Sequence, residues 1–85
     1  SFNLGISEEF PELKTYPNPV AEFLEISSPT TEIIYYSISN LSGVSLFAGS
    51  FSGNLKIDVS SLNSGVFILQ FQSGDKIRRQ RFVKI

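Results

Sequence analysis

The chain of 85 residues contains neither cysteine nor histidine. Without cysteine, no disulfide and no thiolate metal site can form, so the fold depends on side-chain packing alone. The usual general base, the thiolate nucleophile and the commonest zinc ligands are missing as well. We therefore expect no catalytic site, no metal site and no cofactor.

Net charge and long apolar runs are also lacking. The formal net charge is −1, whereas proteins that bind nucleic acid usually present a strongly basic face. No apolar run approaches the roughly 20 residues that span a bilayer, so we expect neither a nucleic-acid partner nor a membrane-spanning segment. No secretory signal peptide is visible at the N-terminus. Because the chain opens with Ser1, we expect it to be cut from a longer protein that carries its own signal upstream.

Alternating apolar residues dominate the chain from Tyr16 onwards, as half-buried strands do. Eight phenylalanines and three tyrosines supply much of the core of a single domain. Within residues 44–48 we expect Leu46, rather than Phe47, to point inward. The alternation predicts these core residues: Val20, Leu24, Ile26, Ile34, Tyr36, Ile38, Leu55, Ile57, Val59, Phe67, Leu69 and Phe71.

Glycine, serine, proline and asparagine separate the apolar runs. Gly43, Gly65 and Gly74 are expected in turns, because glycine adopts positive φ without strain. Residues 60–65 are expected to form one turn of 3₁₀ helix. No segment shows a helical stripe of adequate length. The sequence therefore predicts an all-β fold, an Ig-like β-sandwich of about seven antiparallel strands.

Residues 1–12 differ from the rest of the chain. Phe2, Leu4 and Ile6 alternate, and Glu8 and Glu9 follow as an acidic pair. This stretch is either a linker from an upstream cargo domain or a first strand that docks on an edge of the sandwich. We assign residues 13–85 to the folded domain.

Three stretches of the chain resemble the C-terminal sorting domain of proteins exported by the type IX secretion system of Bacteroidota. They are residues 16–20 with Leu24 and Ile26, residues 38–43, and residues 57–69, before a chain end of residues 81–85. The similarity covers residues 13–85, and the stretches together are more specific than any one alone. Asn40 and Phe67 stand where the family more often has aspartate and tyrosine, both mild changes.

The resemblance implies a C-terminal export signal on a cargo protein in the same chain. Such domains are recognised at the outer membrane by the translocon and its shuttle protein, and a surface sortase then usually removes them. The cargo is secreted or held at the cell surface after passing through the periplasm. On this interpretation the recognition residues are Pro17, Asn18, Pro19, Gly43, Gly65, Lys76, Arg78, Arg79, Arg81, Phe82, Val83, Lys84 and Ile85.

Structural roles are open for the same residues. Pro17 and Pro19 remove backbone donors, so they suit the rigid entry of an edge strand with Tyr16 packed beneath it. The basic residues of the last strand can protect a sheet edge from aggregation. A carbohydrate-binding or adhesive Ig-like module is the alternative function, and its aromatic platform would come from Phe23, Tyr35 and Phe47. A third possible function is that of an inert spacer between domains.

Overall fold

The computed structural model describes residues 12–85, and within them it contains seven strands and no helix. The alternating residues 1–11, with their predicted linker or docking role, lie outside the described residues. The strands are β1 (Lys14–Tyr16), β2 (Phe23–Ser27), β3 (Ile34–Ser39), β4 (Ser45–Phe51), β5 (Asn54–Asp58), β6 (Gly65–Ser73) and β7 (Lys76–Lys84).

The strands form two antiparallel sheets. The smaller sheet has the order β1-β2-β5, and the larger has the order β4-β3-β6-β7. The prediction of an all-β sandwich of about seven antiparallel strands is confirmed. Strand β1 stands at the edge of its sheet, as Pro17 and Pro19 require, but Tyr16 is 47% exposed rather than packed beneath the strand.

The core fills the space between the two sheets. The buried residues from the predicted list are Val20, Leu24, Ile26, Ile34, Ile38, Ile57, Val59, Phe67, Leu69 and Phe71, and Leu13, Phe51 and Phe82 join them. Tyr36 and Leu55 pack against this cluster while partly exposed. Burial of one such large side chain contributes about 1.5–3 kcal/mol, so packing replaces the missing disulfides as the source of stability.

The prediction that Leu46 points inward is wrong. Leu46 is 41% exposed, and Phe47 packs against the core instead. Phe47 pairs with the buried Ile38, and the register then shifts between Ile38 and Ser39. Phe47 faces inward because it is in phase with the buried Phe51 along a regular ladder. Leu46 is the extra residue at the irregularity and has no partner on β3.

Of the 3₁₀ turn predicted over residues 60–65, the structure has a single i→i+3 hydrogen bond, which begins one residue earlier. This stretch is a loop with a single hydrogen-bonded turn, in which the Leu62 amide donates to the Val59 carbonyl over 3.0 Å. The carboxylate of Asp58 holds the start of the loop by accepting from the amide of Ser60 over 3.0 Å and from its hydroxyl over 2.6 Å. An Asx turn therefore replaces the helical turn.

Candidate recognition surface

Four segments that are far apart in the sequence meet at one end of the sandwich. Gly65 pairs with Lys84, and Ser39 pairs with Ile68, so the turn after β3 and the loop before β6 lie beside the end of β7. Val20 forms an isolated bridge with Lys84 at the same place. We call this the motif end; it comprises residues 17–20, 40–43, 60–66 and 81–85.

The described chain enters at the opposite end. Lys14 at the start of β1 pairs with Ser27, which also pairs with Asn54. The turn at residues 74–75, between β6 and β7, lies at that end of the larger sheet. We call it the entry end.

The proline-rich segment covers the edge of β7 at the motif end. The amide of Val20 donates to the carbonyl of Val83 over 2.8 Å, and the amide of Ile85 donates to the carbonyl of Val20 over 2.9 Å. The amide of Val83 donates to the side-chain oxygen of Asn18 over 3.0 Å. Pro17 and Pro19 have no amide hydrogen, so Asn18 supplies a side-chain acceptor and Val20 supplies the backbone bonds.

The turn at residues 40–43 is built on the Asn40 side chain. Its oxygen accepts from the amide of Ser42 over 2.9 Å and from the amide of Val44 over 3.0 Å. Gly43 has φ of +92°. A residue with a side chain would be strained in this conformation, so the predicted turn role of this glycine is confirmed. The turn presents Leu41 at its tip with 67% of its surface exposed.

The loop before β6 ends at Gly65, where φ is +153°. Hydrogen bonds from the Ser60 hydroxyl and then from the Ser60 amide lower the pKa of Asp58 below its ordinary value of 3.8. The loop therefore begins at a carboxylate that is ionised at neutral pH and already accepts two hydrogen bonds from Ser60. This arrangement fixes the path of the chain into β6.

A groove separates this loop from the Asn40 turn. It has a volume of about 540 Å³, and no ionisable side chain lines it. Its apolar walls come from Leu41, Leu46, Leu62, Val66 and Phe67, and its polar rim from Asn40, Ser61, Asn63 and Ser64. The sequence did not identify Leu41 and Leu62 as residues that line a surface groove, because a single leucine inside a turn gives no periodic pattern.

The last strand divides its predicted recognition residues between surface and interior. Arg79, Arg81, Val83 and Ile85 are exposed. Arg79 donates to the side-chain oxygen of Gln70 on the neighbouring strand over 2.7 Å. The outer face of β7 thus carries two cations, Arg79 and Arg81, followed by the apolar Val83 and Ile85 towards the motif end.

Phe82 and Lys84 lie inside instead. The ring of Phe82 is 1% exposed and stacks on that of Phe67 at 5.7 Å. Lys84 is 7% exposed, and its ammonium group donates to the Ile85 carbonyl over 2.9 Å. Lysine can bury its aliphatic stem while its head group bonds nearby. Both side chains therefore hold the end of β7 in place from inside the domain and are not exposed to another protein.

Two of the predicted basic residues are far from the motif end. Lys76 pairs with Ser73 and Arg78 with Phe71, so both lie nearer the entry end. The structure brings the prolines, both turn glycines and the last five residues together, and it separates these two cations from them.

The three rings considered for a carbohydrate platform do not share a face. Tyr35 is 58% exposed on the outer face of the larger sheet. Phe23 lies on the smaller sheet, with the Lys56 ammonium 4.5 Å from its ring centroid. Phe47 packs against the core. These three rings therefore form no continuous aromatic surface on which a sugar chain could stack.

Within residues 12–85 no group of acidic side chains is arranged as a metal site. The same residues include no helix that is long and apolar enough to cross a membrane.

Comparison with known protein families gives a match. A family model described as the secretion system C-terminal sorting domain matches residues 14–85. A search of curated proteins found no similar protein. The matched range runs from the first residue of β1 to the last residue of the chain and so includes the whole motif end.

Proposed function

The chain belongs to the family of type IX secretion system C-terminal sorting domains, and on this basis we propose that its motif end is the surface that the export machinery binds. A sorting domain of this family directs the protein that carries it to the cell surface or out of the cell. We propose that the cargo lies upstream in the same chain, passes through the periplasm and crosses the outer membrane through the translocon with its shuttle protein. A surface sortase then removes the domain.

The observation that carries this proposal is the meeting of four separated segments at the end opposite to the chain entry. The family resemblance rests largely on residues 16–20, 38–43, 57–69 and 81–85. Hydrogen bonds and strand register bring residues from all of these stretches to the motif end. The described chain enters β1 at the opposite end, and we propose that the motif end stays open to a partner when a cargo is joined upstream.

Several exposed side chains at the motif end can contact a partner directly. They are Pro17, Asn18, Pro19, Leu41, Val66, Arg81, Val83 and Ile85. Apolar groups predominate, and the Arg81 guanidinium supplies positive charge beside them. Such a surface fits a partner with an apolar centre and acidic groups at its rim, because complementary charge directs docking while apolar burial supplies affinity.

Two buried residues and two loop glycines at the same end keep this surface in shape. Phe82, Lys84, Gly43 and Gly65 fix the strand end and the two loops, and we assign them positioning roles. We propose that the domain acts by binding alone and without catalysis. The absence of histidine and cysteine supports this proposal, since the usual catalytic side chains are missing.

An export assay tests the proposed function. A periplasmic reporter fused before residue 1 is expressed in a cell that has the type IX system, and surface and periplasmic fractions are compared. We expect the intact fusion at the surface or in the medium, and a fusion that lacks residues 83–85 in the periplasm. Protease resistance of each purified domain shows whether the truncated domain still folds. Equal export of intact and truncated fusions would overturn the proposal.

A further inference from the structure

The two edges of the larger sheet are protected very differently. At one edge, β7 carries Arg78, Arg79 and Arg81, and residues 18–20 bond to its end. At the other edge stands β4, and no described strand lies beyond it. Charged side chains, prolines and covering segments are the usual means by which proteins block pairing at a sheet edge. Among the described residues, β7 has these features and β4 does not.

The region around β4 is notable for its lack of charge. No charged residue occurs between Glu32 and Lys56, although the chain as a whole is 18% charged. Leu46, Ala48 and Ser50 alternate on the outer face of β4, and all three are exposed. An exposed, uncharged edge strand of seven residues is a template for pairing with another strand.

We propose that β4 pairs antiparallel with β4 of a second copy of this chain, joining the two larger sheets into one. The strand is self-complementary about Ala48. Antiparallel pairing centred on this residue places Leu46 opposite Ser50 on the outer face. It places Phe47 opposite Gly49 on the inner face. Each large side chain thus meets a small one, and no like charges oppose each other, as favourable cross-strand pairs require.

Gly49 has a defined place in this arrangement. The ring of Tyr36 lies against Gly49, and a Cβ atom built there would be 2.9 Å from the tyrosine Oη atom. The Tyr36 ring therefore fills the space over Gly49, and in the proposed pairing the Phe47 ring of a second copy would meet this ring beside a residue that adds no side chain of its own. The register shift between Ile38 and Ser39 leaves Leu46 without a partner on β3. The regular part of the ladder, from Phe47 to Phe51, therefore covers the central Phe47–Gly49 pairs of the proposed dimer, and the Leu46–Ser50 pairs lie at the irregularity.

This inference does not depend on the sorting role, and it is tested on the purified domain. Molar mass is measured by light scattering after size exclusion, over a concentration series that extends to the order of 0.5 mM. We expect a concentration-dependent dimer. Ala48→Lys places two ammonium groups opposite each other, so we expect the dissociation constant to rise at least about tenfold. Ala48→Glu should have the same effect.

Mixing the two variants gives the decisive result. Ala48→Lys and Ala48→Glu together should form a heterodimer, because opposite charges then face each other at the centre. Gln72→Lys is the matched control, since it adds the same charge to the exposed outer face of the central strand β6 and should leave the dimer intact. A wild-type domain that stays monomeric at every concentration would overturn the proposal. The β4 edge would then be a pairing site only for a strand of a different protein. A dimer that Ala48→Lys does not weaken would overturn it too.

Discussion

The amide of Val83 donates a hydrogen bond of 3.0 Å to the side-chain oxygen of Asn18, which lies 65 positions earlier in the chain. This bond joins the proline-rich segment to the last strand. With the two backbone bonds of Val20, it closes an edge that would otherwise expose its amides to pairing. The residues that carry the family resemblance at the two ends of the domain are thus one structural unit.

Asn18→Ala should loosen the end of β7. The substitution removes the acceptor of the Val83 amide, and we expect the free energy of unfolding to fall by about 1 kcal/mol. Urea unfolding gives the loss, and hydrogen exchange at Val83 should quicken. Asn63→Ala is the control, because Asn63 is an exposed loop residue and should cost less than about 0.5 kcal/mol. Equal stability of the Asn18 variant and the native domain would contradict the role we give this bond.

Phe47→Ala should cost far more stability than Leu46→Ala. Phe47 packs against the core and Leu46 faces solvent, so we expect losses of about 2–3 kcal/mol and under about 0.5 kcal/mol respectively. Thermal or urea unfolding of the two variants measures both losses. A larger loss for Leu46→Ala would mean that Leu46, rather than Phe47, faces the core.

Ser60→Ala should raise the pKa of Asp58. Both hydrogen bonds that lower this pKa come from Ser60, and the substitution removes the stronger one, from the hydroxyl. The folded-state pKa lies below the ordinary value of 3.8. The stabilising contribution of the carboxylate is therefore complete above that value and is lost as the pH falls through the folded-state pKa. NMR titration of the Asp58 carboxyl group measures the change, with Ser61→Ala as control. An unchanged pKa in Ser60→Ala would refute the cause we give.

Lys84→Met should leave export within about twofold of the native level, because the Lys84 side chain is 7% exposed and methionine can fill the same space. Arg81→Glu should reduce export strongly, since it reverses an exposed charge beside the apolar surface. Both fusions are measured in the reporter assay, together with their unfolding free energies. A strong loss of export with Lys84→Met, in a domain of native stability, would mean that the export machinery recognises the charge of Lys84.

Much of the fold could be predicted from the sequence because period-two alternation is uninterrupted in most of the strands. Leu24 and Ile26, or Phe67 and Leu69, need only a regular strand to face the core. The alternation misled at Leu46, because both sets of alternating residues in β4 contain apolar side chains and only the phase of the buried Phe51 places Phe47 in the core. The turn predicted over residues 60–65 is shortened, because the local hydrogen bonds of Asp58 compete with it at Ser60.

The candidate site could be predicted only in part. The resemblance pointed to Pro17, Gly65 and Ile85, and strand register then brought them to one end. The sequence could not show that Phe82 and Lys84 face inward, because a basic run on an edge strand gives no clear alternation. It also could not show that Lys76 lies at the far end of the same strand, since this depends on how β6 and β7 pair.

Export of two matched variants tests the central claim most directly. Leu41 at the motif end is 67% exposed, and Ile33, which precedes β3 at the entry end, is 61% exposed. Each is changed to aspartate in the reporter fusion, and equal unfolding free energies confirm that both domains are folded. We expect Leu41→Asp to lower surface delivery at least about tenfold, equivalent to about 1.4 kcal/mol of lost partner binding, and Ile33→Asp to leave it unchanged. Equal export of the two variants, or a loss only with Ile33→Asp, would contradict recognition at the motif end.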